Sequence, residues 1–196
     1  MRFWIWITAI FSMFLICGCT TVERGILNSQ TYYSSQFPNI RIDVGDGFVL
    51  RQDADDSDRY EFVNPRLHRG VLIVFEDPVV NENQVDYYHN PINWIFFKIP
   101  DSQEISKGEM NILGKKWYFR DLVHHKSSAS CFLIRDTGYF TAKNDILKIL
   151  YSQELPPHQC HSWKQLGSLD ENQKERLDLF LSDMDQDIRI SNYTTD

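Results

Sequence analysis

Residues 168–188 read Ser168-Leu-Asp-Glu171-Asn-Gln-Lys-Glu-Arg-Leu177-Asp-Leu-Phe180-Leu181-Ser-Asp-Met184-Asp-Gln-Asp-Ile188. The opening Ser168-Leu-Asp-Glu171 matches a capping box and sets acidic side chains in the positive first turn of a helix. Behind it Leu177, Leu181, Met184 and Ile188 recur at i, i+4, i+7 and i+11, and Phe180 joins them on one apolar stripe. Lys174, Glu175, Arg176, Asp178 and Asp183 are expected to face water. A one-sided helix needs an apolar surface to cover, and the segments before it supply one.

Those segments read as short strands between turns. Ile40-Arg-Ile-Asp-Val44 alternates apolar and polar, and Gly45-Asp-Gly47 turns it into Phe48-Val-Leu50. After a charged loop, Gly70-Val-Leu-Ile-Val-Phe75 is apolar without a break, the pattern of a strand buried on both faces. Residues 76–91 carry Pro78, Pro91, Asn81, Asn83 and Asn90 and form an excursion. Trp94–Pro100, Met110–Leu113, Lys116–Val123 and Ala129–Ile134 continue the strands, with Asp136-Thr-Gly138 as a turn. Ile146–Tyr151 fits a strand or a short helix equally. The fold class is therefore α+β: mostly antiparallel β-sheet of about five to eight strands, with the C-terminal amphipathic helix packed on one face.

The N-terminus carries a different signal. Arg2 is followed by residues 3–16 without a charge, and the run ends at Ile16-Cys17-Gly18-Cys19. That length suits a secretory signal peptide, since a spanning helix needs about 20 apolar residues. The site resembles the lipobox of bacterial lipoproteins. The resemblance implies cleavage after Gly18, a diacylglycerol on the Cys19 thiol and acylation of the new amino group. Cys17 fits worse, because Ile16 before it is large. Buried methylenes contribute about 0.8 kcal/mol each, and two chains suffice for stable anchoring. Thr20 stands where an aspartate would resemble the inner-membrane retention signal. The resemblance thus implies an outer-membrane anchor in the bacterial envelope, with the domain facing the periplasm and the leaflet open.

On this reading 1–18 is the signal, 19–38 a lipidated N-terminus and polar tether, and 39–196 a single periplasmic domain. An edge strand near Tyr32 and Tyr33 is left open within the tether. Removing 18 of 196 residues leaves 178, enough for one proper core. The remaining 19 basic and 27 acidic side chains give a net charge of −8, which disfavours nucleic acid and anionic head groups as partners. Cys131 and Cys160 then remain, and in an oxidising compartment they read as one disulfide. The loop it closes corresponds to about 3–4 kcal/mol in the chain-entropy model.

Motifs for chemistry are sparse. Asp53, Asp55, Asp56 and Asp58 suggest calcium, but an EF-hand register from Asp53 meets Asp58 where glycine belongs and Asn64 where glutamate belongs. His158 and His161, with His124 and His125 elsewhere, are weak metal candidates; no metal and no cofactor is expected. A Cys131–His124 or Cys131–His125 catalytic pair would need a reduced thiol in the periplasm. No nucleophile elbow, phosphate loop or paired carboxylates specify a reaction, so no enzyme is expected. Tyr87 and Tyr88, on the polar excursion, are the candidate interface, since loop aromatics favour protein contacts. The sequence points to a membrane-tethered, non-catalytic module that binds another envelope or secreted protein. An immunity lipoprotein neutralising a secreted effector, and a metal-binding protein or enzyme, are the alternatives.

Overall fold

The computed structural model describes residues 24–35, 38–51, 58–76, 99–127, 130–140, 146–163 and 168–194. Their strands are β1 (Arg24–Asn28), β2 (Thr31–Ser34), β3 (Ile40–Val44), β4 (Val49–Arg51), β5 (Arg59–Asn64), β6 (Arg69–Glu76), β7 (Ser102–Ile112), β8 (Lys115–His125), β9 (Cys131–Phe140), β10 (Ile146–Leu155) and β11 (Ile188–Ser191). The helices are α1 (Pro157–Cys160) and α2 (Glu171–Asp187). The strands form two antiparallel sheets, β1-β2-β3-β11 and β4-β5-β6-β10-β9-β8-β7. The architecture is α+β, with the C-terminal helix packed against sheet, but the strands divide between two sheets.

Period-two alternation sets the inner face of the large sheet. Tyr60 and Phe62 on β5, Val71 and Ile73 on β6, and Leu147, Ile149 and Tyr151 on β10 are buried in register across three neighbouring strands. The small sheet meets this face through Ile40, Ile42 and Tyr32, and Tyr32 lies 5.3 Å from the Tyr60 ring. Helix α2 adds Phe180, whose ring lies 5.2 Å from that of Tyr151. Fully burying one such side chain is worth about 1.5–3 kcal/mol.

The outer face of β8–β10 is buried as well. Leu122, Ile146 and Lys148 are each nearly inaccessible, and Arg120 pairs with Asp136 across β8 and β9 at 3.1 Å. In the Gly70–Phe75 run, Val71 and Ile73 are fully buried, whereas Leu72 and Val74 on the opposite face are half-buried.

Several segments depart from what their residues alone lead one to expect. Residues 24–34 do not belong to a tether: they form the β1–β2 hairpin, and β2 pairs with β3 from Thr31↔Asp43 to Ser34↔Ile40. The aromatic ring of Tyr32 inserts into the core and carries this segment with it. Asp136-Thr-Gly138 is not a turn but the middle of β9. There the Asp136 carboxylate finds Arg120, and Gly138 pairs with Tyr118 and Lys148 on either side. Ile146–Tyr151 is strand, flanked by β6 and β9.

The cap of α2 sits two residues beyond the expected one. Asp170 Oδ1 accepts from the Gln173 amide at 2.8 Å, and Gln173 Oε1 accepts from the Asp170 amide at 2.9 Å. Asp183 does not point to water either, since Arg69 binds it. The expected strand at 94–100 lies outside the described residues apart from Ile99 and Pro100.

Candidate functional site

The disulfide expected from the cysteine count is present. Cys131 opens β9, Cys160 closes α1, and the bond between them, with Cα atoms 5.7 Å apart, is fully buried. It fixes residues 157–163 against the end of the large sheet. Trp163, 1 % exposed, follows as a plug, and its carbonyl lies 3.3 Å from His125 Nε2 on β8.

The same corner receives the start of α2. Gln173, already used in the cap, donates from Nε2 to the Ser162 carbonyl at 2.8 Å. Ser162 Oγ donates in turn to the Gln159 carbonyl at 2.7 Å. The disulfide thus ties α1 to β9, and the Gln173–Ser162 bond joins the α1 segment to the start of α2.

Between them lies a cavity of about 390 Å³, lined in part by His158, Gln159, Trp163, Asn172, Glu175 and Arg176. Two polar atoms on its lining side chains, Gln159 Oε1 and Arg176 Nε, are shielded from solvent and have no hydrogen-bond partner. Buried polar atoms are paired in the great majority of cases, so each such orphan requires a reason.

A second polar group is structural. Arg69 on β6 binds Asp187 Oδ2 at 2.9 Å and also binds Asp183, while Tyr151 on β10 donates to Asp187 at 2.7 Å. Burial pushes the Tyr151 hydroxyl far above its ordinary range, and the Asp187 carboxylate raises it further. It thus stays a donor at every physiological pH. On β8 and β9 Arg135 makes a two-pronged bond to Asp121, which also accepts from Ser106 Oγ at 2.6 Å. These carboxylates are all engaged, so none is a free base.

The other candidates named from the sequence separate. His158 and His161 are both exposed, and among the described residues no group of three or more His, Cys, Asp or Glu side chains is placed to hold a metal. His124 Nδ1 lies 3.1 Å from the Pro100 carbonyl, whereas His125 turns to the Trp163 carbonyl. Of the acidic loop, Asp58 binds Arg24 at 3.2 Å, and residues 52–57 lie outside the described residues. Tyr87, Tyr88 and Cys19 lie outside them too. No described helix is long and apolar enough to cross a membrane.

Sequence reasoning passed over the cavity itself. Its lining comes from 158–163 and 170–179, and the signal on offer was Arg176, a cation on a helix rich in acids. No family model matches the chain, and no curated protein matches it.

Proposed function

We propose that the protein is a lipid-anchored component of the bacterial envelope, held by acyl chains on Cys19, whose domain binds another envelope or secreted protein without catalysing a reaction. The observation that carries this reading is the Ile16-Cys17-Gly18-Cys19 site behind an uncharged run of 14 residues, 3–16. The Cys131–Cys160 disulfide supports it, because such bonds persist in oxidising compartments.

The fold adds a distance. Residues 20–23 alone separate Cys19 from the start of β1 at Arg24. Fully extended chain spans at most about 3.3–3.6 Å per residue, so the sheet would stand within about 18 Å of the anchored cysteine. A partner would then have to be met close to the membrane surface. The net charge of −8 on the mature chain favours a basic one.

Crosslinking in intact cells, purification of the native lipidated protein and mass spectrometry test this reading. One dominant partner in near-stoichiometric yield is expected, lost when Tyr87 and Tyr88 are both replaced by alanine. No partner above background, with Cys19 modified, would remove the binding role and leave the anchor.

A further inference from the structure

We propose that the outer edge of β11, with the apolar cleft beside it, takes up an extended segment of a basic protein as an added β-strand. This deepens the protein-binding role and rests on it, but needs neither the anchor nor Tyr87 and Tyr88. β11 ends the small sheet. Among the described residues its one strand neighbour is β3, paired from Ile188↔Val44 to Ser191↔Arg41. The Asp187 carbonyl accepts from the Gly45 amide on that side at 2.8 Å. Peptide groups alternate along an antiparallel strand, so Arg189 and Ser191 also bond toward β3, whereas Ile190 turns its N–H and C=O the other way. The Ile188 N–H closes α2 on the Met184 carbonyl, which leaves the Ile188 C=O beside the Ile190 pair. Such a row of backbone donors and acceptors is a template for one more strand.

The cleft supplies the side-chain contacts. Its volume is about 170 Å³, with Ile188 and Ile190 on one side, Met110 and Ile112 of β7 on the other, and Met184 of α2 above. These five are half-buried and pack against the core, so the cleft is both apolar and reachable. Thr137 and Ile149, both buried, line it from β9 and β10. No residue of β3 lines it, so it lies on the side of β11 that β3 leaves open. A strand on that edge sets every second side chain over the cleft. An apolar cavity of about 150 Å³ holds a benzene, so this one has room for an aliphatic side chain. Val and Ile suit both the cleft and the extended backbone. Asp185 is the one charged side chain on the lining, and it forms no ion pair with any described residue. With the net charge of −8 on the mature chain, it selects Lys or Arg next to the apolar positions. That same charge sets two copies of the chain against each other.

Amide and methyl NMR of the full chain in detergent micelles tests this. The probes are the acetylated, amidated peptides Lys-Val-Thr-Val-Lys, Lys-Ile-Thr-Ile-Lys and Arg-Val-Lys-Val-Arg. At least one should shift the Ile190 amide and the Met110 and Ile112 methyl signals saturably. The same peptide with both aliphatic amides N-methylated keeps its charge but loses its donors, and should no longer do so. Ile190→Pro removes the outward N–H and spares the ladder to β3, and should weaken binding about fivefold or more. Should that variant fail to fold, Met110→Trp, which fills the cleft from β7, gives the same reading. Leu179→Ala, at an exposed position off the cleft, should leave binding unchanged. No saturable shift with any of the three peptides would overturn the proposal. So would undiminished binding of the N-methylated peptide, or by a folded edge or cleft variant. Concentration-dependent dimerisation that moves the same signals without peptide would put a second copy on this edge and overturn it equally. Peptide binding is read without the cellular partner, so its failure is distinct from a failure to capture that partner by crosslinking.

Discussion

Tyr151 Oη donates a 2.7 Å hydrogen bond to Asp187 Oδ2, joining the middle of β10 to the last residue of α2. The carboxylate sits at the negative end of the helix dipole, where it is disfavoured, and it is held there by this hydroxyl and by Arg69. Asp183, one turn earlier, shares the same guanidinium. The end of the helix is therefore fastened to the large sheet by one cation and one phenol. Arg69→Met leaves two partly buried carboxylates without a counter-charge and should cost about 3–5 kcal/mol in urea unfolding. Tyr151→Phe removes one bond to a charged acceptor but keeps Arg69, and should cost about 1.5–3 kcal/mol. Equal losses for the two variants would contradict the ranking.

The disulfide closes a loop between positions 29 apart in sequence. Its removal by Cys131→Ser with Cys160→Ser should lower stability by about 3–4 kcal/mol. The cavity should suffer first, because α1 is the wall released. Hydrogen exchange comparing 157–163 with β10 would show faster opening at α1 in the reduced protein. Uniform loss of protection would argue against a local role.

The β7–β8 hairpin turns on Leu113 and Gly114, both with positive φ, at 54° and 73°. That two-residue geometry favours Asn-Gly, and a branched apolar side chain in the left-handed region is strained. Leu113 is also exposed, so its side chain contributes little packing there. Leu113→Asn should raise stability by about 0.5–1 kcal/mol in chemical denaturation, with no change in the slope.

Asp43 on β3 couples stability to pH. Burial pushes its carboxyl up, but hydrogen bonds from Arg41 and Thr31 outweigh burial and hold it below the ordinary value. A lowered folded-state pKa means that the contribution is present above the unfolded value, about 3.9, and fades as pH falls through the folded one. Asp43→Asn should therefore be less stable than the parent at pH 7 and lose that difference toward pH 3. A gap that persists at pH 3 would assign the effect to packing.

Much of the fold was legible because hydrophobic period is a local signal. The stripe Leu177, Phe180, Leu181, Met184 marks α2 without reference to anything else, and Ile40–Val44 alternates as a half-buried strand should. What local pattern missed was decided by distant partners. Asp136, Thr137 and Gly138 have turn composition, yet an ion pair to Arg120 on a neighbouring strand keeps Asp136 extended. Thr31-Tyr-Tyr-Ser34 looks polar, yet the ring of Tyr32 reaches Tyr60 on the other sheet. At the cap, Ser168 and Asp170 compete on nearly equal sequence terms, and Gln173 decides for Asp170 by bonding both its cap partner and Ser162. The disulfide was readable from compartment chemistry and cysteine count. The cavity was not, because its polar lining joins two segments that gain meaning only where the fold sets them side by side, linked by the Gln173–Ser162 bond.

The envelope role stands or falls with the N-terminus of the mature chain. Mass spectrometry of the N-terminal peptide from membrane-fraction protein measures it. The peptide is expected to begin at Cys19, carry a diacylglyceryl group on sulfur and an acyl group on the amine, and lack residues 1–18. A peptide that still begins at Met1 with Cys19 unmodified would contradict the anchor and, with it, the envelope location.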